Sequence, residues 1–489
     1  MKWYFLTREI SKPKKQIDNL KPLNKVKHRA NTTIIRRLIN FIVIILVSVF
    51  VSWWASSSLE TPAAYMLAIL IAAALLWVTE TIPLFATSLL IIGAQIIFLG
   101  NPGNWEILRS AGRETFPYRD FLDPLSDPII ILFLGGFILA KVGVIVGVDR
   151  YISSAVLKIF GHSAKKALMG VIICTAVFGM WISNTATTAM MITLTGSFLA
   201  SVPAGNPFRK AVTLAIPFSA GIGGLMTPIS SPPNAIAVGL LANKGIHIGF
   251  LKWMIIIAPL ALLLLFILYL MLWHFYKPDK QLSLTPVKAK PFTAKGKFVI
   301  VIFFITVLLW LTDTVHGIPA AVVALFPVII FTASGLLNAK EFNHLDWNIL
   351  FVIAGGLALG QGMSLTGLDQ HIAELIPVSA EGIIFIMFLL AIAMSTFISN
   401  TTTAVLLIPM AISMATISEN INIKFMVIGL AVMCGSSMIL PISTPPNTIA
   451  YSTGELSKRD FAVSGAIIGF CSLALTYCYF WLLTYLKVW

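Results

Sequence analysis

Residues 181–189 read Trp-Ile-Ser-Asn-Thr-Ala-Thr-Thr-Ala, and residues 397–405 read Phe-Ile-Ser-Asn-Thr-Thr-Thr-Ala-Val. Both stretches stand in apolar surroundings: VIICTAVFGMWI precedes Ser183, and MFLLAIAMSTFI precedes Ser399. A hydroxyl or amide taken into hydrocarbon without a partner costs a few kcal/mol. Such side chains either bond to carbonyls one turn back inside an intact helix, or they sit at helix ends, which Ser, Asn and Thr favour over helix interiors. A helix interrupted at these triplets turns free N–H groups, and the positive end of its dipole, toward the break. Irregular backbone at membrane depth is tolerated only where protein or a wet cavity surrounds it. The recurrence of the triplet favours the interrupted reading.

The surroundings set the class. Of 489 residues, 58% are hydrophobic and 11% charged, with a mean hydropathy of +0.90; a soluble chain carries about 25% charged residues. Continuous apolar runs such as NFIVIILVSVFVSWWA from Asn40 and MIIIAPLALLLLFILYLMLW from Met254 predict an all-α polytopic membrane protein and exclude a β-barrel, whose strands alternate. The formal charge of +14 is not spread for nucleic acid. Residues 1–37 hold eleven Lys or Arg against Glu9 and Asp18, and the stretch from Lys277 to Lys297 holds six lysines against Asp279. Both flank apolar segments, which the positive-inside bias reads as cytoplasmic. The basic tail is too long for a usual signal peptide, so the first apolar run reads as a retained signal anchor. Cys174, Cys434, Cys471 and Cys478 all lie in apolar segments and are expected to be buried thiols without disulfides.

The chain repeats itself. FLGGFILAKVGVIVGVDRYI from Phe133 resembles VIAGGLALGQGMSLTGLDQHI from Val352; the glycine pair 135–136 recurs at 355–356, and Gly147 and Asp149 recur at Gly367 and Asp369. Ser183 recurs at Ser399, and SSPPNAIA from Ser230 recurs as STPPNTIA from Ser443. The order is kept, and the offset drifts only from 220 to 213. The expected organisation is a basic cytoplasmic tail (1–37), an extra first helix (38–59), repeat 1 (60–276), a basic cytoplasmic linker (277–296) and repeat 2 (297–489). If tail and linker share a side, repeat 1 holds an odd number of spans and repeat 2 enters the membrane upside down. Inverted repeats of this kind imply transport, with the solute held near the midplane where the copies meet.

Ser-Pro-Pro-Asn (231–234) and Thr-Pro-Pro-Asn (444–447) cannot continue a helix, because proline lacks the N–H and clashes with the preceding turn. Each follows a Gly- and Ser-rich run, SAGIGGLMTPIS or CGSSMILPIS. The breaks together offer N–H groups, which suit anions, and carbonyl, hydroxyl and amide oxygens, which suit hard cations such as Na⁺. No Lys or Arg falls in either block. A helix end contributes roughly 0.3–2 kcal/mol to a nearby anion, less than the several kcal/mol that removing an ion from water costs. A doubly charged anion therefore needs bound cations as company. Lys141, matched by Gln361, either adds positive charge or snorkels to the surface. Glu80 reads as a helix-end residue; Asp149 and Asp369 read as helix-terminus residues or as a proton relay. The seven histidines lack metal-ligand spacing, and no GxSxG, HExxH, CxxC or Walker motif occurs, which argues against an enzyme.

Two Ser-Asn-Thr triplets, each followed by a (Ser/Thr)-Pro-Pro-Asn motif, resemble the divalent anion/Na⁺ symporter family over nearly the whole chain after the basic tail. The resemblance implies eleven transmembrane helices, two re-entrant hairpins, a homodimer in the cell membrane and an elevator motion of a transport domain against a scaffold. The segments led by Gly-Gly, near 128–150 and 348–370, match the family's hairpins. Carried over by position, the substrate would meet Ser183, Asn184, Thr185 and Ser231 from one copy, and Ser399, Asn400, Thr401 and Thr444 from the other. One Na⁺ would sit among Ser183, Asn184 and the backbone near Gly179 and Ser230; a second among Ser395, Asn400 and the backbone near Ile398 and Ser443. Gly179 and Ser230 depart from the family pattern, where relatives can carry Ser and Gly respectively. The expected function is Na⁺-coupled import of C4-dicarboxylates or related di- and tricarboxylates without other cofactors. A Na⁺-independent dicarboxylate exchanger and an anion channel are the alternatives.

Overall fold

The computed structural model describes residues 23–106, 116–160, 163–278, 282, 293–374, 380–417 and 421–487. The first half of the basic tail and most of the linker at 277–296 lie outside the described residues. Every regular element described is a helix. The extra first helix is α1 (Leu23–Ala55), and repeat 1 runs through α2 (Thr61–Thr79), α3 (Leu84–Gln95, prolonged by one π-turn to Gly100), α4 (Pro128–Val146), α5 (Val148–Phe160), α6 (Ala164–Gly179), α7 (Asn184–Leu199), α8 (Pro207–Gly223), α9 (Pro232–Asn243) and α10 (Phe250–Phe275). Repeat 2 runs through α11 (Ala294–Leu311), α12 (Asp313–His316), α13 (Ala320–Ala333), α14 (Ala339–Asn343), α15 (Trp347–Thr366), α16 (Leu368–Glu374), α17 (Ala380–Phe397), α18 (Asn400–Ile417), α19 (Ile423–Gly435), α20 (Pro445–Tyr451) and α21 (Lys458–Tyr485). Seven described segments are long and apolar enough to cross a membrane: Ile34–Ala55, Thr61–Thr79, Asp123–Val146, Phe250–Phe275, Ala294–Leu311, Trp347–Thr366 and Lys458–Tyr485. The other expected crossings fall on helices that are short, such as α3 and α13, or interrupted, such as α8–α9 and α19–α20.

Local chemistry fixes the boundaries. Asp127 caps α4 through Ile129 N–H at 2.9 Å with Pro128 in the first turn, and Gly147, at φ 77°, ends it. Gly367, at φ 71°, ends α15 in the same way. A residue with a Cβ is strained at such angles, so glycine is required there. In the segments expected as hairpins, near 128–150 and 348–370, the chain thus runs a long helix into a left-handed glycine and then a shorter helix. A second helix–turn–helix follows in each repeat, α6–α7 and α17–α18, and the Ser-Asn-Thr triplets stand at its turn.

The repeats interlock crosswise. α4 of repeat 1 lies on α13 of repeat 2, while α3 lies on α15. α9 packs on α18, and α20 packs on α7, so the half-helix after each Pro-Pro break lies against the other repeat's Ser-Asn-Thr helix. The breaks themselves meet about the internal two-fold: a Cβ built on Gly221 would stand 2.6 Å from Met438, and one on Gly435 would stand 2.6 Å from Leu225. The same relation joins Trp77 and Trp310, whose indole N–H groups donate to Leu84 O at 3.2 Å and Ala320 O at 2.9 Å. Their surroundings, LLWVTET (75–81) and LLWLTDT (308–314), are a further copy of the repeat, offset by 233, that the sequence reading overlooked. All four cysteines are free; Cys174 and Cys434 are buried as expected, whereas Cys478 is exposed on α21.

Candidate functional site

Each Ser-Asn-Thr triplet starts a helix. Ser183 caps α7, its Oγ accepting from Ala186 N–H at 3.4 Å; Ser399 caps α18, its Oγ accepting from Thr402 N–H at 3.0 Å and meeting Thr402 Oγ1 at 2.7 Å. Among the described residues, the next two amides of each helix, those of Asn184 and Thr185 and of Asn400 and Thr401, have no backbone or side-chain acceptor. The triplets therefore present four N–H donors between them, the orphan groups of a helix start. Asn184 Oδ1 and Asn400 Oδ1 are buried and unpartnered, and so are Ser395 Oγ, Thr187 Oγ1 and Thr188 Oγ1. Buried amide oxygens without partners are uncommon and invite a ligand. Of the residues expected to hold an anion, the triplets are half-buried, Ser231 is buried and Thr444 half-buried.

Asn184 sits against the first Pro-Pro break: a Cβ built on Gly224 would lie 2.6 Å from its Oδ1. Thr227 Oγ1 donates to Met180 O at 2.6 Å, tying the same break to the turn before the triplet. In repeat 2 the equivalent junction is made by hydroxyls, with Thr396 Oγ1 2.8 Å from Ser437 Oγ and Ser437 Oγ donating to Ile392 O at 3.3 Å. Gly179 and Ser230 are each held by their immediate neighbours. α6 and α8 cross so closely that a Cβ on Gly179 would stand 2.6 Å from Ala220 O, so this position has room for backbone alone. Ser230 donates its hydroxyl proton to Gly224 O and Thr227 O (the latter at 3.0 Å), and Ser443 likewise donates to Leu440 O at 2.8 Å. Both serines keep lone pairs but have no proton to spare for an anion.

Lys141, Arg209 and Lys210 are engaged elsewhere. Lys141 forms an ion pair with Glu341 of repeat 2 at 3.3 Å. Lys141 also lowers the pKa of Asp346, although burial, the larger effect, raises it above the usual carboxylate range. Arg209 bonds Glu455 through Nε at 3.0 Å and donates to Leu199 O and Val202 O at 2.7 and 3.0 Å; Lys210 pairs with Asp460 at 3.1 Å. Glu80 is exposed in a left-handed conformation at a helix end, as expected. Asp149 and Asp369 both stand in the first turn of short helices and are buried. A cavity of about 460 Å³ lies away from the triplets, lined by Asp123, Asp127, Lys244, Gln361, Asp369 and Ser413 among others. Its acidic wall is unsuited to an anion.

Sequence reasoning missed one cluster at this site. Trp181, at the first turn, stacks on Phe250 (centroids 6.0 Å) and Trp310 (6.5 Å) and meets Phe303 edge-on at 5.3 Å. Its counterpart Phe397 is 80% exposed. Trp310 was detectable through the LLW repeat, but its partner across the fold was not.

A helical membrane fold with two interlocked repeats, interrupted helices and polar groups gathered at the interruptions defines a membrane transporter. The YdaH transporter of Alcanivorax borkumensis shares the fold, with a TM-score of 0.56 over 83% of this chain and 98% of that one at 13% identity. The chain belongs to the citrate transporter family, which matches residues 74–416 and again 307–488. It is 28% identical over 471 residues to the sodium-dependent dicarboxylate transporter SdcS of Staphylococcus saprophyticus, covering 85% of each chain. It is also 28% identical over 408 residues to the inorganic phosphate transporter PHO87 of Saccharomyces cerevisiae, and 29% over 416 residues to an uncharacterized transporter of Schizosaccharomyces pombe. The chain spans less than half the length of these two yeast relatives, 43% and 46% respectively.

Proposed function

We propose that the protein imports C4-dicarboxylates, such as succinate, malate and fumarate, coupled to Na⁺ and acting as a homodimer with an elevator motion. The observation that carries this reading is the pair of Ser-Asn-Thr turns, each offering two N–H groups to an anion and a buried, unpartnered asparagine oxygen to a cation. The substrate is assigned to Ser183, Asn184, Thr185 and Ser231 with Ser399, Asn400, Thr401 and Thr444. Na⁺ is assigned to Ser183, Asn184, Ser230 and the Gly179 carbonyl, and to Ser395, Asn400, Ser443 and the backbone at Ile398. The likeness to SdcS over 85% of both chains supports dicarboxylate and Na⁺. The basic tail and linker support a cytoplasmic N-terminus in a cell membrane.

The likeness to PHO87 favours a second reading, in which the same donors hold inorganic phosphate. Proteoliposome uptake of labelled succinate with and without inward Na⁺, with citrate, malate, 2-oxoglutarate, sulfate and phosphate as competitors, tests both. Uptake that ignores Na⁺ but requires internal dicarboxylate assigns an exchanger instead. Unitary currents without gradient coupling assign a channel, and competition by phosphate alone assigns the second substrate.

A further inference from the structure

The cavity of about 460 Å³ lies where the repeats meet, and the proposed transport uses none of its residues. Its wall takes Asp123 and Asp127 from the segment that leads into α4, Lys244 from just past α9, Gln361 and Asp369 from α15 and α16, and Ser413 from α18. Three carboxylates therefore meet one ammonium. That ammonium is exposed, and Lys244 Nζ donates to Ser364 Oγ at 3.0 Å. Asp127 accepts from Ile129 N–H through one oxygen. Asp369 is 7% exposed; one of its oxygens accepts from Gln370 N–H at 2.9 Å, and the other has no partner among the described residues. A buried carboxylate oxygen without a partner is costly and calls for a cation.

The internal two-fold indicates which cation. Gln361 stands in α15 where Lys141 stands in α4, at the offset of 220 that joins their glycine pairs. Asp127 and Asp346 likewise share a position, the residue just before each of these helices. At the junction of α4 with the segment before α15, Lys141 Nζ lies 3.3 Å from Glu341 and acts electrostatically on Asp346. At the junction of α15 with the segment before α4, the acids recur but no lysine does: Gln361 is neutral and leaves Asp123, Asp127 and Asp369 uncompensated. Carboxylates that share a cavity repel one another, so each gains from a positive charge placed among them. The chain supplies that charge from its own side chain at one junction and keeps a cavity at the other.

We propose that this cavity binds a protonated primary amine, whose ammonium takes among Asp123, Asp127 and Asp369 the place that Lys141 takes beside Glu341 and Asp346. A hard metal ion asks for a close shell of several oxygens, and two of the three carboxylates already give one oxygen to a backbone N–H. An ammonium needs only acceptors for its three N–H groups. Ser413 offers a further one, since its hydroxyl proton goes to Pro409 O at 3.0 Å and its lone pairs stay free. The volume exceeds a water's share of about 30 Å³ many times over, so it has room for the amine's carbon chain. The occupant joins the start of α4 to α16 and α18, fastening the repeats here as the Lys141–Glu341 pair fastens them at the other junction. The proposal depends neither on the transported solute nor on Na⁺ coupling.

The test unfolds purified full-length protein thermally in detergent at constant total salt, with methylammonium chloride replacing choline chloride, whose nitrogen carries no N–H. Methylammonium is expected to raise the melting temperature saturably, as any ligand of the folded state does. Asp127→Asn, which keeps the helix cap, and Asp369→Asn are expected to raise the half-saturating concentration roughly 10-fold or more, the loss of one charge-assisted contact. Gln361→Lys supplies the ammonium from the chain, so this variant should melt higher than wild type without amine and should no longer respond to it. Asn400→Ala should keep the amine response, because the cavity lies apart from the triplets. A wild type that responds no more to methylammonium than to choline overturns the proposal, as does a Gln361→Lys protein that responds like wild type or a response that Asn400→Ala removes. Stabilisation by Na⁺ but not by methylammonium, lost in Gln361→Lys, gives the cavity to a metal ion and overturns the amine. Should Gln361→Lys fail to fold, the two Asp→Asn variants decide.

Discussion

Gly179→Ser adds a side chain where α6 and α8 cross, and the structure predicts that it harms the protein. The new Cβ would stand 2.6 Å from Ala220 O, against 3.4 Å or more in ordinary contact, and 3.1 Å from Ala220 Cα. The obstacle is backbone, so no side chain can swing away, and α6 and α8 must part by most of an ångström. They are held a turn away by the mirror-image contact, where Gly223 lies equally close to Ala176. Forcing atoms into such packing costs about 1–3 kcal/mol, and replacing a helical glycine returns about 0.5 kcal/mol. A net loss of about 0.5–2.5 kcal/mol follows. Parting the helices also lifts Gly224 from the Asn184 amide, so Na⁺ stabilisation falls with it. Gly196→Ser on α7 is the control, because a Cβ there meets nothing within 4 Å. Thermal unfolding in detergent with and without Na⁺ separates the two. A Gly179→Ser protein that melts like wild type and keeps its Na⁺ response refutes the claim that α6 and α8 touch through backbone.

Asn184→Ala and Asn400→Ala should abolish uptake in proteoliposomes while lowering the melting temperature little, since neither Oδ1 has a protein partner to lose; wild-type uptake by either ends the site assignment. Arg209→Ala should destabilise by about 2–3 kcal/mol, because it removes a bidentate ion pair with Glu455 and charged hydrogen bonds to two carbonyls at the end of α7. The Arg209 hydrogen bonds hold the Glu455 pKa below its usual range, so the pair's contribution is complete above about pH 4.3 and is lost as pH falls through the lowered value; the melting difference between wild type and variant should shrink with falling pH without vanishing, because the bonds to the two carbonyls do not titrate. Trp181→Ala should cost about 2–4 kcal/mol through its ring contacts and buried area, whereas Phe397→Ala, at the equivalent turn and 80% exposed, should cost less than about 0.5 kcal/mol by the same melting assay.

What could be read in the sequence was what the repeat writes twice. Ser-Asn-Thr and Pro-Pro-Asn stand at helix interruptions because each is incompatible with a helix interior, a purely local property. The turn glycines Gly147 and Gly367 were legible for the same reason. The helix–turn–helix around each triplet was not, because a continuous apolar run does not say whether the chain passes on or turns back at Ser183. Lys141 was ambiguous because its partner Glu341 lies in the other repeat, 200 residues on. The closeness of α6 and α8 left only the glycines as a trace, and a lone glycine in a helix has many causes. The tie that Asn234 makes to the break was written in the sequence at the same offset as its neighbours. It became readable only when three carbonyls were found within reach of its amide.

The internal two-fold holds in hydrogen bonding and fails in exposure, and the failure has direction. Asn234 and Asn447 clamp equivalent carbonyls, and Trp77 and Trp310 bond equivalent ones, so the halves are built alike. Yet Ile229 is 4% exposed while its counterpart Ile442 is 81%, and Trp181 is wedged among three rings while Phe397 stands 80% free. Identical chemistry in unequal surroundings means that the asymmetry lies in how the halves are docked, not in how they are made. Trp181 and Ile229 belong to the first triplet's turn and the first break; Phe397 and Ile442 belong to the second. Trp181 is packed against α10 and α11 and Ile229 against Gly136 of α4, whereas Phe397 and Ile442 are left largely uncovered by the chain's own helices.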